Sequence, residues 1–113
     1  MGFKELHTFE ERQIESAKIM AKYPERIPII VEKGKCQLKD IGKNKFLVIK
    51  DMTVSEFMFM IRKKIHLDPS QSLFILMNNR IASGNVPIGS LYDEYRDTDG
   101  FIYMVYTSEN TFG

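Results

Sequence analysis

Between Thr53 and Asp68 the chain encodes one long amphipathic helix, and the rest of the fold has to be built around it. Thr53-Val54-Ser55-Glu56 is a capping box, a hydroxyl followed three residues later by Glu. Val54, Phe57, Met58, Ile61 and Ile65 then recur at i, i+3, i+4, i+7 and i+11, which is helical spacing. Asp68-Pro69 closes the run. A stripe of this kind must be buried against a second layer.

The flanking segments supply that layer. Ile27 to Val31 is β-rich, and Lys45-Phe46-Leu47-Val48-Ile49 reads as a second strand. A polar, lysine-bearing turn from Lys33 to Asn44 joins them as a hairpin. Leu73 to Met77 reads as a third strand, with Asn78-Asn79 as a turn and a short strand over Arg80 to Ala82. A short helix starts near Pro87, with Ile88, Leu91, Tyr92 and Tyr95 on one side, and Asp99-Gly100 breaks it. Phe101 to Tyr106 is a continuous apolar run, which suits a central strand covered on both faces. Ahead of all this, Thr8-Phe9-Glu10-Glu11 is another capping box. It opens a helix to about Tyr23, with Phe9, Ala17, Met20 and Tyr23 roughly on one face, stopped by Pro24. Residues 3 to 7 are read as one extra turn.

The order is a helix followed by ββαββαβ. It predicts an α+β, ubiquitin-like β-grasp: a mixed four- to five-stranded sheet on a long helix, with an N-terminal helical extension. Residues 1–24 are assigned to that extension, 25–107 to the ubiquitin-like domain and 108–113 to a polar tail.

Composition narrows the function. The 113 residues are 43% apolar and 27% charged, with a formal net charge of +1. That suits one globular domain and gives no global pull toward nucleic acid. Cys36 is the only cysteine, so an internal disulfide and a cysteine-based zinc site are excluded, and a reducing compartment fits. His7 and His66 stand far apart, so no metal is expected. Cys36 lies in the lysine loop without a recognisable nucleophile signature and is read as incidental. No cofactor motif is present. The N-terminus lacks an apolar signal core, Leu6 stands where myristoylation wants Ser or Thr, and no apolar run reaches the length of a membrane span. A membrane role would need attachment.

Several strings carry a resemblance across nearly the whole chain. Tyr23-Pro24-Glu25-Arg26-Ile27-Pro28-Ile29-Ile30-Val31-Glu32-Lys33 is similar to the opening strand of the GABARAP-type autophagy modifiers, ubiquitin-like proteins that become lipidated. Lys45-Phe46-Leu47-Val48 resembles their second strand, and Phe57 through Leu67 their long helix. Asn78-Asn79, Leu91-Tyr92, Asp99-Gly100-Phe101-Ile102-Tyr103 and the tail Ser108-Glu109-Asn110-Thr111-Phe112-Gly113 follow in order. The chain departs from the pattern at Ile49, where proline is usual, at Ala82-Ser83, which replaces a frequent proline pair, and at Lys64, where arginine is common.

The resemblance implies that Gly113 is the conjugation site and Phe112 its anchor. Activating and conjugating enzymes would pass the Gly113 carboxyl, as a thioester, to phosphatidylethanolamine. A cysteine protease would process and release the protein. Glycine suits that role because it lacks a Cβ and can enter a narrow slot in any backbone conformation. The protein would be a substrate of enzymes and not an enzyme, monomeric in solution. It would be cytoplasmic, and on autophagosomes and other vesicles when lipidated.

The resemblance also implies a face for peptides of the form aromatic-x-x-aliphatic, carried by receptors and adaptors and added as a strand beside Lys45 to Ile49. Its aromatic pocket would comprise Glu15, Ile19, Pro28, Ile30, Lys45, Leu47 and Phe101. The aliphatic pocket would comprise Phe46, Val48, Ile49, Met52, Phe57, Met60 and Ile61, with Lys64 at its edge. Spacing alone reads most of these as core. It does leave Ile19 unexplained by the main stripe of its helix, four residues after Glu15. Lys43 and Arg26 are candidates for a basic rim, Arg26 also for a structural ion pair. Lys33, Lys35, Lys39, Lys43 and Lys45 read either as a solvated loop or as part of that rim. A second reading stays open on sequence: a β-grasp scaffold of vesicle trafficking that holds peptides without being conjugated.

Overall fold

The computed structural model describes residues 2–108. The elements are α1 (Phe3–Leu6), α2 (Phe9–Lys22), β1 (Arg26–Lys33), β2 (Lys45–Ile49), α3 (Val54–Lys64), β3 (Phe74–Met77), β4 (Arg80–Ile81), α4 (Ile88–Tyr95) and β5 (Ile102–Thr107). The sheet order is β2-β1-β5-β3-β4. β1 and β5 run parallel in the middle, and the remaining pairs are antiparallel. The apolar run at the end of the chain is therefore a central strand, as its composition predicts.

Both long helices begin at the expected boxes. Thr8 Oγ1 accepts from Glu11 N at 3.1 Å, and Thr53 Oγ1 accepts from Glu56 N at 3.2 Å. In each box the Glu carboxylate accepts in return from the cap's own N–H. α3 buries Val54, Phe57 and Ile61 against one face of the sheet. That face carries Ile27, Ile29 and Val31 from β1 and Phe46 and Val48 from β2, all in one apolar core with α4. Of the four α4 positions expected to face inward, Ile88, Leu91 and Tyr92 are buried, whereas Tyr95 is exposed.

The N-terminal helices lie on the other face, and here the apolar pattern misleads. Phe9, Ala17 and Tyr23 point to solvent, and of the predicted stripe only Met20 is half-buried. The buried residues of α2 are Arg12 and Ser16. Arg12 Nη1 donates to Asp99 Oδ2 at 2.6 Å, and the Ser16 hydroxyl donates to the Asp99 carbonyl. The other Asp99 oxygen accepts from Phe101 N at 2.9 Å, and the Tyr103 hydroxyl also donates to this carboxylate. α2 thus docks through a satisfied polar cluster. Gly100 completes the fit: its φ is +96°, and a Cβ there would collide with the Ser16 side chain.

The lysine loop is held at one point. The Tyr106 hydroxyl donates to the Lys39 carbonyl and accepts from Ile41 N, at 2.8 and 2.9 Å, and Leu38 is buried. The loop is therefore anchored, not wholly solvated.

Replacing Asp99 by Ala should leave the Arg12 charge without its carboxylate, with only the His7 carbonyl as acceptor, and the Phe101 N–H without a partner. Removing one member of a buried pair costs about 3–5 kcal/mol. Urea denaturation should show a loss of that size, with α2 exchanging its amides faster than α3. An unchanged midpoint would contradict the polar docking of α2.

Candidate functional site

β2 lies at the edge of the sheet, so one of its sides has no strand partner. The ladder shows which groups that side carries. Val31 N donates to Asn44 O at 2.8 Å, and Lys50 N donates to Glu25 O at 3.4 Å. In an antiparallel pair such bonded positions alternate, so Phe46 and Val48 bond inward to β1. Lys45, Leu47 and Ile49 then aim their N–H and C=O groups away from the sheet. Three donors and the carbonyls of Lys45 and Leu47 are thus open to an added strand, whereas the Ile49 carbonyl already accepts from Met52 N at 3.1 Å.

The side chains of β2 divide between the two faces. Lys45 and Leu47 stand opposite Ile30 and Pro28, on the face covered by α2. Ile19 packs on a small buried cluster of Phe3, Ile30 and Phe101. Lys45 Nζ pairs with the Glu15 carboxylate across this face. The structure therefore brings together all seven residues assigned to the aromatic pocket. It adds one that sequence reasoning missed. Phe3 of α1 lies 5.5 Å from the Phe101 ring, edge to face, with Lys45 Nζ 5.6 Å from its own ring. Ile30 and Phe101 are consequently buried beneath it. No periodicity could have shown this, because α1 has only four residues.

On the opposite face Phe46 meets Phe57 edge to face at 5.7 Å. Lys43 Nζ stands 5.2 Å and Lys64 Nζ 5.9 Å from the Phe46 ring. Val48, Phe57 and Ile61 are fully inside the core and can only form the floor of an aliphatic pocket. Met52 and Met60 pack half-buried against them. Ile49 departs from its assignment. It leaves β2 on the face that carries Leu47, opposite Arg26, with 49% of its surface exposed. Strand alternation separates it from Phe46 and Val48.

Arg26 is exposed, and no ion pair forms on it among the described residues. Lys43 lies on a cavity of about 670 Å³ beside the end of β2, shared with Lys33, Lys35, Asn44 and Gly2. Glu32 and Asp40 also line it, so its charge is mixed. Phe112 and Gly113 lie outside the described residues. Among the described residues no cluster of three His, Cys, Asp or Glu could hold a metal, and no helix is long and apolar enough to cross a membrane.

α1 reaches the site through polar ties. Phe3 N donates to Glu32 Oε2 at 2.7 Å, and Lys4 Nζ pairs with Asp97 Oδ1 at 2.6 Å. Burial works to raise the Asp97 carboxyl, but the Lys4 ammonium and the Asp99 N–H outweigh it and hold it below its usual value. Burial, reinforced by the Asp99 carboxylate, pushes the Tyr103 hydroxyl up, so it stays a donor at neutral pH.

A mixed sheet with a parallel central pair, packed on one long helix, is the ubiquitin-like β-grasp. The comparisons with known proteins then take the class to a family. Residues 11–113 match the family described as autophagy protein Atg8, ubiquitin-like. Autophagy-related protein 8i of Arabidopsis thaliana is 47% identical over 113 residues, covering 99% of this chain and 98% of its own length. Autophagy-related protein 8h of the same plant is 46% identical, over 99% of this chain and 95% of its own. The crystal structure of Trypanosoma brucei ATG8 superposes with a TM-score of 0.92 at 38% identity, over 100% of this chain and 98% of that one. The chain belongs to the Atg8 family of ubiquitin-like autophagy proteins.

The Asp97 carboxyl is lower in the folded protein than in the unfolded chain, so its contribution is present at neutral pH and lost as acid protonates it. α1 should stay docked at neutral pH and loosen below about pH 4, the ordinary range of a carboxylate. Amide exchange of α1 relative to α3 reads this directly. Lys4→Met should flatten the pH dependence, and an equal dependence in that variant would refute the tie.

Proposed function

We propose that this protein is a conjugated adaptor: Gly113 is joined to phosphatidylethanolamine on autophagosomal membranes, and β2 holds receptor peptides of the form aromatic-x-x-aliphatic. The observation that carries the peptide half is the open edge of β2, with outward backbone groups at Lys45, Leu47 and Ile49. A peptide strand added there places alternate side chains toward the two faces of the sheet.

The two faces differ in a way that suits such a motif. Ile19 and Leu47 offer an apolar surface on one face, over the buried Pro28 and the Phe3–Ile30–Phe101 cluster and bridged by Lys45–Glu15. Met52 and Met60, half-buried beside the buried Phe46, offer one on the other, rimmed by Lys43 and Lys64. Each buried anchor contributes roughly 1.5–3 kcal/mol. With strand pairing and less the ordering costs, affinity near micromolar follows, about −8 kcal/mol. Acidic residues flanking the motif fit Lys33, Lys35 and Lys43 at the neighbouring cavity.

The conjugation half rests on family membership and on the tail Asn110-Thr111-Phe112-Gly113. Activating and conjugating enzymes supply the catalytic groups, and a cysteine protease processes and releases the protein. The lipid then holds the protein on vesicles, at about 0.8 kcal/mol per buried CH₂.

The two halves separate by mutation. Leu47 bonds nothing on β1, so Leu47→Pro removes an outward donor while sparing the β1–β2 ladder. It should weaken a motif peptide at least tenfold, about 1.4 kcal/mol, and leave lipidation by the cognate enzymes with ATP and phosphatidylethanolamine liposomes intact. Deleting Gly113 should abolish the lipid adduct and leave peptide affinity, read by calorimetry, unchanged. Full peptide binding by Leu47→Pro, or an adduct that survives loss of Gly113, would each overturn its half.

A further inference from the structure

Phe59 is the most exposed large apolar side chain among the described residues, at 61% of its surface, and neither the peptide edge nor the core uses it. It stands on the outer face of α3. With Arg62, Lys63, His66, Leu67 and Pro69 it forms a shallow basin of about 660 Å³. Lys63 Nζ lies 5.4 Å from the Phe59 ring. The basin therefore joins an aromatic floor to a cationic border.

Its far wall is built rigidly. α3 ends with His66 at φ 53°, a left-handed conformation more often taken by glycine. Leu67 N donates back to Arg62 O at 3.0 Å, and His66 N to Lys63 O at 3.3 Å. The Arg62 guanidinium donates to the carbonyls of Asp68 and Gln71, at 3.1 and 2.8 Å, which pins the loop carrying Pro69. The acid at this border, Asp68, is turned onto Ser70, accepting from its N–H and hydroxyl at 2.8 and 2.7 Å. Lys63, Lys64 and His66 keep exposed side chains.

The position of the basin suggests its occupant. Phe74, which follows this loop, pairs with Thr107 at the end of β5. The chain leaves the domain there, at the pole that α3 points toward. The five residues beyond Ser108 span at most about 18 Å. A lipid at Gly113 would hold this pole close to the bilayer. Aromatic rings and long cationic side chains are the groups that settle at a headgroup interface, and cations gain there from anionic lipid.

We infer that the Phe59–Pro69 basin is a membrane-contact face, seated on anionic phospholipid headgroups once the tail is anchored. Its geometry rests on the proposed conjugation at Gly113, and its test does not need the conjugating enzymes. The chain contains no tryptophan and one cysteine, Cys36. A Cys36→Ser, Gly113→Cys protein can be coupled through its single thiol to a maleimide lipid in vesicles of phosphatidylcholine and phosphatidylserine. Phe59→Trp then adds a lone reporter at the basin. Tyr23→Trp places the same reporter at the C-terminal cap of α2, just ahead of β1 and at the opposite pole.

On these vesicles Phe59→Trp emission should shift to shorter wavelength and be quenched by brominated lipid. The Tyr23→Trp protein should show neither change. Adding Lys63→Glu to Phe59→Trp should reduce both effects. Emission from anchored Phe59→Trp equal to that in solution, or quenching no greater than for Tyr23→Trp, would overturn the inference. So would a shift that a free poly-glutamate peptide produces and the vesicles do not. Failure of enzymatic conjugation at Gly113 would leave these readings intact, so the two proposals fail separately.

Discussion

A strand carries hydrogen-bonding groups on both sides, and β2 uses only one of them. The cause is topological: β1 is flanked by β2 and β5, so β2 is left at the margin of the sheet. Unpaired margins invite uncontrolled pairing. Here the margin is short and carries charge, with Lys45 on it, Lys43 before it and Lys64 above Phe46. These cations repel the same edge of another copy.

The second constraint is how α1 and α2 sit on the sheet. α2 docks through Arg12, Ser16 and Asp99 at the β5 side of the sheet, with Ile19 and Met20 as its apolar contacts. Ile19 and the Glu15–Lys45 pair then cover Ile30 and flank Leu47. Phe3 packs edge to face on Phe101 beneath them.

Much of the fold was legible in the chain because local and global signals agree. The Thr53 box and the Val54–Phe57–Ile61 stripe specify α3, and the unbroken apolar run to Tyr106 specifies a central strand. The inward face of α2 was not legible, since hydrophobic periodicity selects Phe9, Ala17 and Tyr23, whereas the buried residues are an arginine and a serine. Phe3 escaped for another reason: one turn is too short to show a period. Ile49 illustrates the opposite failure. Strand alternation puts it with Leu47, and family resemblance had drawn it into the pocket of Phe46 and Val48. The residues of the aromatic pocket came from that resemblance, since their spacing reads equally well as core.

The central claim is that the outer edge of β2 receives a backbone. Residue-resolved amide exchange with a saturating aromatic-x-x-aliphatic peptide tests it most directly. Lys45, Leu47 and Ile49 exchange freely alone and should become protected on binding. Phe46 and Val48, already bonded to β1, should change little. Protection that spares Lys45, Leu47 and Ile49 while peptide binds elsewhere would contradict the account.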